Sequence, residues 1–122
     1  MNKIHVISTG RNAGEFVKKC IESVSNQTIV PISHLVIDDI SDDNTRDILM
    51  NYKYSEEYPY LDIKFSNIRK YRLLNLYENI ISKDPEDIIC IVDSDDWLAH
   101  DKVLERIKNT YENNSKLEYV YS

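Results

Sequence analysis

Short apolar stretches of β type alternate with amphipathic helical stretches along the whole chain, and this alternation limits the fold more than any other feature. Ile4–Ser8 (IHVIS) reads as a first strand, followed by the turn TGRNAG. From about Asn12 a helix is marked by Phe16, Val17, Cys20, Ile21 and Val24, which share one face. His34–Ile37 (HLVI) reads as a second strand, and Thr45–Tyr52 as a helix capped by Asp43 or Asn44. Leu61–Phe65 (LDIKF) alternates apolar and polar residues, as a half-exposed strand does. Arg69–Ser82 reads as a helix with Leu73, Leu74, Tyr77, Ile80 and Ile81 on one side. Asp87–Val92 is the most apolar strand, His100–Tyr111 an amphipathic helix carrying Val103, Leu104 and Ile107, and Leu117–Tyr121 the start of another strand. Parallel strands must be joined by crossovers, usually helices, so the pattern predicts an α/β fold: a mostly parallel sheet flanked by helices.

The length of 122 residues suits a single domain, 1–122, and at 42% hydrophobic residues the chain can build a core. No apolar run approaches the roughly 20 residues that cross a bilayer. The N-terminal MNKIHVIST is too short an apolar stretch for a signal peptide, so the expected location is cytoplasmic. A formal charge of −6, with Lys and Arg scattered rather than striped, argues against a general nucleic-acid binder. Cys20 and Cys90 lie in apolar contexts without CxxC or Cys/His spacing and read as packed thiols. His5, His34 and His100 pair with neither a Cys nor another His and are read as non-ligands.

In parallel sheets ligands bind outside the carboxyl ends of the strands, and three polar clusters of this chain fall in those loops. The run IICIVDSDDWL ends the most apolar strand in Asp93, Asp95 and Asp96. Acids crowded in this way repel one another, and a cation offsets the cost. Carboxylates are hard ligands suited to Mg²⁺ or Mn²⁺, and a metal held by one or two of them keeps positions free for substrate phosphates. On the structural alternative, Asp95 or Asp96 caps the following turn and Asp93 merely ends the strand. In VIDDISDDNT, Asp38 and Asp39 can accept hydrogen bonds from a ligand, whereas Asp42 and Asp43 suit the N-terminus of the next helix. STGRNAG is neither a GxGxxG motif nor a P-loop. It reads either as a tight turn with Asn12 as helix cap, or as a loop that brings backbone N–H groups and Arg11 near a nucleotide. The basic segment NIRKYRLLN supplies Arg69, Lys70 and Arg72, which can neutralise phosphates or form a solvated helix face.

The ordered motifs GRNAGEFVKKCIESVSNQT, VIDDISDDNT and IICIVDSDDWLAHDKVLERI resemble the N-terminal half of family 2 glycosyltransferases, and the likeness covers essentially the whole chain. It implies a Rossmann-like GT-A fold, here truncated to a donor-binding half. It also implies inverting glycosyl transfer from a nucleoside-diphosphate sugar, most often a UDP-sugar, to an acceptor glycan, lipid or protein. Carried over by position, Thr9 would lie at the mouth of the nucleotide pocket with Arg11 beside it. Asp39 would bind the nucleobase with Asp38 adjacent, and Arg72 would lie near base or phosphate. Asp93 and Ser94 would join the nucleotide contacts, and Asp95 and Asp96 would hold Mn²⁺ or Mg²⁺. The family places its catalytic base downstream of the DxD run, so none is assigned here. Arg11 stands where the family commonly has an aromatic residue, and Ile40 where it usually has glycine, which predicts an altered turn.

Two other readings compete: a nucleotide-binding module without catalysis, and a Mg²⁺-dependent phosphoryl-transfer domain. Phosphatases with an early DxD followed by Thr or Val differ from this late run followed by Trp97.

Overall fold

A computed structural model of the chain describes residues 3–113. The eight elements strictly alternate: β1 (Ile4–Gly10), α1 (Val17–Ser25), β2 (Ser33–Asp38), α2 (Thr45–Lys53), β3 (Leu61–Phe65), α3 (Tyr71–Ile80), β4 (Ile88–Ile91) and α4 (Val103–Asn113). The strand expected at Leu117–Tyr121 lies outside the described residues.

The strands form one parallel sheet in the order β3-β2-β1-β4. The chain therefore builds outward from β1 to β3, then crosses back to lay β4 on the other side of β1. This reversal between β1 and β4 opens a crevice at the carboxyl end of the sheet. The register pairs Gly10 with Asp38 and Asp38 with Phe65, so the loops after β1, β2 and β3 leave at one level. Backbone bonds from Asp39 N–H to Gly10 O (2.9 Å) and from Ser94 N–H to Thr9 O (3.0 Å) lock the rim together.

Period-two alternation along the strands separates two packing layers. On one face Ile4, Val6, Ile88 and Val92 pack with Cys20 and Val24 of α1 and Leu104 of α4. The same face, further across, joins Val36 and Ile63 to Val17, Ile21 and Leu49. On the other face Ile7 and Ile37 pack against Leu76 of α3, with Ile80 and Ile89 alongside. Both cysteines are reduced thiols in these layers, and burial pushes each up to about 11.

The helix expected from His100 begins at Val103, and two others differ from expectation more deeply. The first begins at Val17 rather than near Asn12, because Asn12 takes a left-handed backbone (φ 56°) and its side chain braces the β2–α2 loop instead of capping α1. In α3 the inward face is formed by Asn75 and Leu76, while Leu73, Leu74, Tyr77 and Ile81 are exposed. The helix carries apolar residues on two sides, and periodicity alone does not choose between them. Its first turn is tied to Asp39, and that anchor sets the rotation.

Candidate functional site

The loops after β1, β2, β3 and β4 meet around one cleft of about 340 Å³. Its floor and near wall come from Thr9, Gly10 and Asn12, and its far wall from Asp39, Tyr71, Arg72 and Asn75, with Asp93 and Asp95 beside them.

Asp39 organises the far wall. The residue is 3% exposed, and its carboxylate accepts bonds from Lys70 N–H (2.9 Å), Tyr71 N–H (2.8 Å) and Arg69 Nε (3.0 Å). Burial alone would push its pKa up, but these three bonds and the Arg69 charge together outweigh it and hold the carboxyl below its usual range. Tyr71 sits in the left-handed region (φ 62°), strained for an aromatic residue. Tyr71 lines the cleft, and the Arg69 guanidinium lies 4.3 Å from its ring centroid.

The β2–α2 loop divides its acids by role. Asp38 is buried and accepts bonds from Ser41 N–H and Ser41 Oγ, so its carboxylate is turned into its own turn and away from the cleft. Asp42 pairs with Arg11 across the loops (3.0 Å) rather than capping a helix. Asp43 accepts from Thr45 N–H (2.9 Å), as a capping acid would, and also from Gly14 N–H (3.2 Å). The bond from the Thr45 hydroxyl is the leading cause of its lowered pKa. Ile40 itself enters the left-handed region (φ 59°) that glycine adopts freely, so the turn keeps a glycine-like backbone, and Arg11 Nε donates to its carbonyl at 3.0 Å.

The DSDD run is a tight turn closed by Asp96 N–H to Asp93 O (2.9 Å). Asp93 pairs with Arg72 Nε at 2.9 Å, both side chains substantially solvated, so the pair positions groups more than it stabilises them. Ser94 is buried against Gly10, where an added Cβ would stand 2.7 Å from Ser94 Cβ, and it does not line the cleft. Asp95 lines the cleft, exposed and without an ion pair among the described residues. Asp96 accepts from Trp97 N–H (2.8 Å) and borders a separate groove of about 380 Å³ between β4 and α4.

Thr9, Arg11, Asp39, Arg72, Asp93 and Asp95 are thus brought together, and Asp38, Ser94 and Asp96 are not. Among the described residues no group of three His, Cys, Asp or Glu side chains forms a closed metal cage. The donor set that remains, Asp95 with Asp93 nearby, fits a hard cation held by one or two carboxylates and completed by phosphate oxygens. Sequence reasoning passed over Tyr71 and Asn75; the signal for Asn75 was a polar residue inside an otherwise apolar helical stretch.

A parallel α/β sheet with a polar cleft at its strand reversal defines a Rossmann-like nucleotide-binding class of architecture. Within that class the chain belongs to glycosyl transferase family 2, whose profile matches residues 5–120. EpsH of Bacillus subtilis (strain 168), named as a glycosyltransferase, is 30% identical over 92 residues, covering 74% of this chain and 25% of its own length. The GT-A fold is seen in the structure of S. aureus TarS 1–349, with a TM-score of 0.74, 17% identity, and coverage of 98% of this chain and 38% of TarS. The same TarS fragment has been solved with UDP-GlcNAc. Mannosyltransferase PcManGT from Pyrobaculum calidifontis, solved with GDP-Man and Mn²⁺, matches with a TM-score of 0.70 and 18% identity over 84% of this chain and 30% of its own. The chain therefore spans between a quarter and two fifths of the length of these relatives. No described helix is long and apolar enough to cross a membrane.

Proposed function

We propose that this chain is the donor-binding part of an inverting glycosyltransferase and holds a nucleoside-diphosphate sugar, with a divalent cation, in the cleft between its rim loops. The observation that carries the reading is the exposed Asp95, free of ion pairs among the described residues, on the wall of a cleft that also holds Arg11 and Arg72. A carboxylate without an ion pair and guanidinium groups around one open space suit a diphosphate together with a metal.

In this reading Asp95 is the metal ligand, and Asp93 joins it or contacts the ribose when Arg72 swings to the phosphates. Mn²⁺ or Mg²⁺, when bound, stabilises the departing diphosphate as a Lewis acid. Thr9 and Gly10 form the floor along which the ligand backbone runs. Tyr71 offers a ring face for the nucleobase, replacing the aromatic residue absent at Arg11. Asp39 acts through the Arg69–Tyr71 segment that it holds, and Asp38 and Ser94 keep the rim turns in shape. Asp96 serves the turn. The acceptor is a hydroxyl on a glycan, lipid or protein, deprotonated by a carboxylate base outside this cleft.

Thermal unfolding with UDP or GDP and Mn²⁺ tests the reading. Ligand at a hundred times its Kd stabilises a one-site binder by about 2.7 kcal/mol, which raises Tm by several degrees. No shift with either nucleotide at millimolar concentration, with or without metal, contradicts it.

A further inference from the structure

We infer that Asn75 reads the nucleoside end of the ligand, its side-chain amide donating a hydrogen bond to a carbonyl or hydroxyl oxygen of the base or ribose. The inference rests on the nucleotide reading of the cleft. Asn75 is 2% exposed, yet its Nδ2 has no hydrogen-bond partner among the described residues. A buried amide without a partner costs stability, and such groups are rare in folded proteins. The residue that carries it, Asn75, lines the cleft. It stands four residues after Tyr71 and three after Arg72, so all three lie along one side of α3. Its neighbour Leu76 packs on Ile7 and Ile37. The helix therefore turns an asparagine inward while Leu73, 80% exposed, faces water. A polar residue placed inside at the expense of available leucines marks a position kept for binding rather than for stability.

The chemistry of the donor selects its partner. Charged phosphoryl oxygens are served by the exposed Arg11 and Arg72 and by a cation at Asp95. A neutral, desolvated N–H suits a neutral oxygen. Asp39, the nearby carboxylate on which base recognition would otherwise fall, already accepts three bonds from the protein. What Asn75 offers a ligand is a donor, and a carbonyl or sugar oxygen completes it.

Calorimetric titration of the chain and its Asn75→Ala and Asn75→Leu variants with UDP, GDP and inorganic pyrophosphate, each with Mn²⁺, tests this. Both variants should bind the nucleotide about tenfold more weakly, the effect of one lost hydrogen bond, and bind pyrophosphate as the wild type does. Asn75→Leu, measured without ligand, should melt at or above the wild-type temperature, because an unsatisfied polar group has been removed. Wild-type nucleotide affinity in the variants, an equal loss for pyrophosphate, or a lower melting temperature in Asn75→Leu overturns the role of Asn75 and leaves the proposed function standing. A wild-type chain that binds neither UDP nor GDP overturns both.

Discussion

The backbone N–H of Tyr71 donates to Asp39 Oδ2 at 2.8 Å, tying the first residue of α3 to the loop after β2. The same carboxylate holds Lys70 N–H and Arg69 Nε, so one buried acid shapes the far wall of the cleft and sets the helix rotation. Asp39→Ala leaves two backbone donors and a guanidinium without their acceptor. It should cost about 3 kcal/mol in urea unfolding and abolish nucleotide binding. Unchanged stability would show that the segment holds its shape without this anchor.

Gly10 lies so close to Ser94 that a methyl group has no room: its carbon would stand 2.7 Å from Ser94 Cβ. Gly10→Ala should therefore push the DSDD turn away from β1, at a cost of about 1–3 kcal/mol in chemical denaturation. A variant as stable as the wild type, with unaltered ligand affinity, would contradict this close approach.

Ile40, a β-branched residue, occupies a left-handed backbone at φ 59°. Such a conformation costs an L-residue roughly 1–2 kcal/mol, and glycine escapes it while losing roughly 0.5–1 kcal/mol through extra unfolded-state entropy. The balance predicts that Ile40→Gly stabilises the chain by about 0.5–1 kcal/mol, measured as a higher urea midpoint. A clear loss of stability would show that packing by the half-exposed side chain dominates.

Acid sensitivity should begin well above the carboxylate range. His34 is fully buried, its Nε2 bonded to Ser8 Oγ at 2.9 Å, and burial lowers its pKa to about 3 from an ordinary 6.5. Between those values the unfolded chain binds a proton that the folded chain excludes. Stability is therefore full above pH 6.5 and falls as pH drops, by up to about 1.4 kcal/mol per unit. Asp39, Asp43 and Asp87 have lowered values, so their contributions are full above the ordinary carboxylate pKa and are lost as pH falls from it through the lowered one. Urea midpoints followed from pH 7 to pH 4.5 should decline in the wild type and flatten in His34→Asn. Parallel curves would assign the decline to another group.

The sheet was legible in the sequence because strands and helices announce themselves by different periods, and because parallel order forces the polar loops onto one rim. The division of labour among the acids was not. Asp38 and Asp39 are neighbours at a strand end, yet one turns back to Ser41 and the other reaches across to α3. Asp95 and Asp96 are equally adjacent, yet one enters the cleft and the other bonds the Trp97 amide. Adjacent side chains at a strand end point to opposite sides, and composition carries no record of which partner each one meets. Nor did α3 disclose its inward face, since Leu73 and Leu74 are as apolar as the Leu76 that packs. The pair expected to act together, Asp95 and Asp96, is split: Asp95 lines the cleft and Asp96 borders the groove beside α4.

The central claim is that Asp95 and a nucleoside diphosphate together hold the divalent ion. Electron paramagnetic resonance of Mn²⁺ tests it directly, because the free aquated ion gives a sharp signal that protein binding removes. With UDP present, the chain should deplete that signal further than UDP alone, and Asp95→Ala should restore it to the UDP-only level without changing the melting temperature. Equal depletion by the variant, or none by the wild type, would contradict the account.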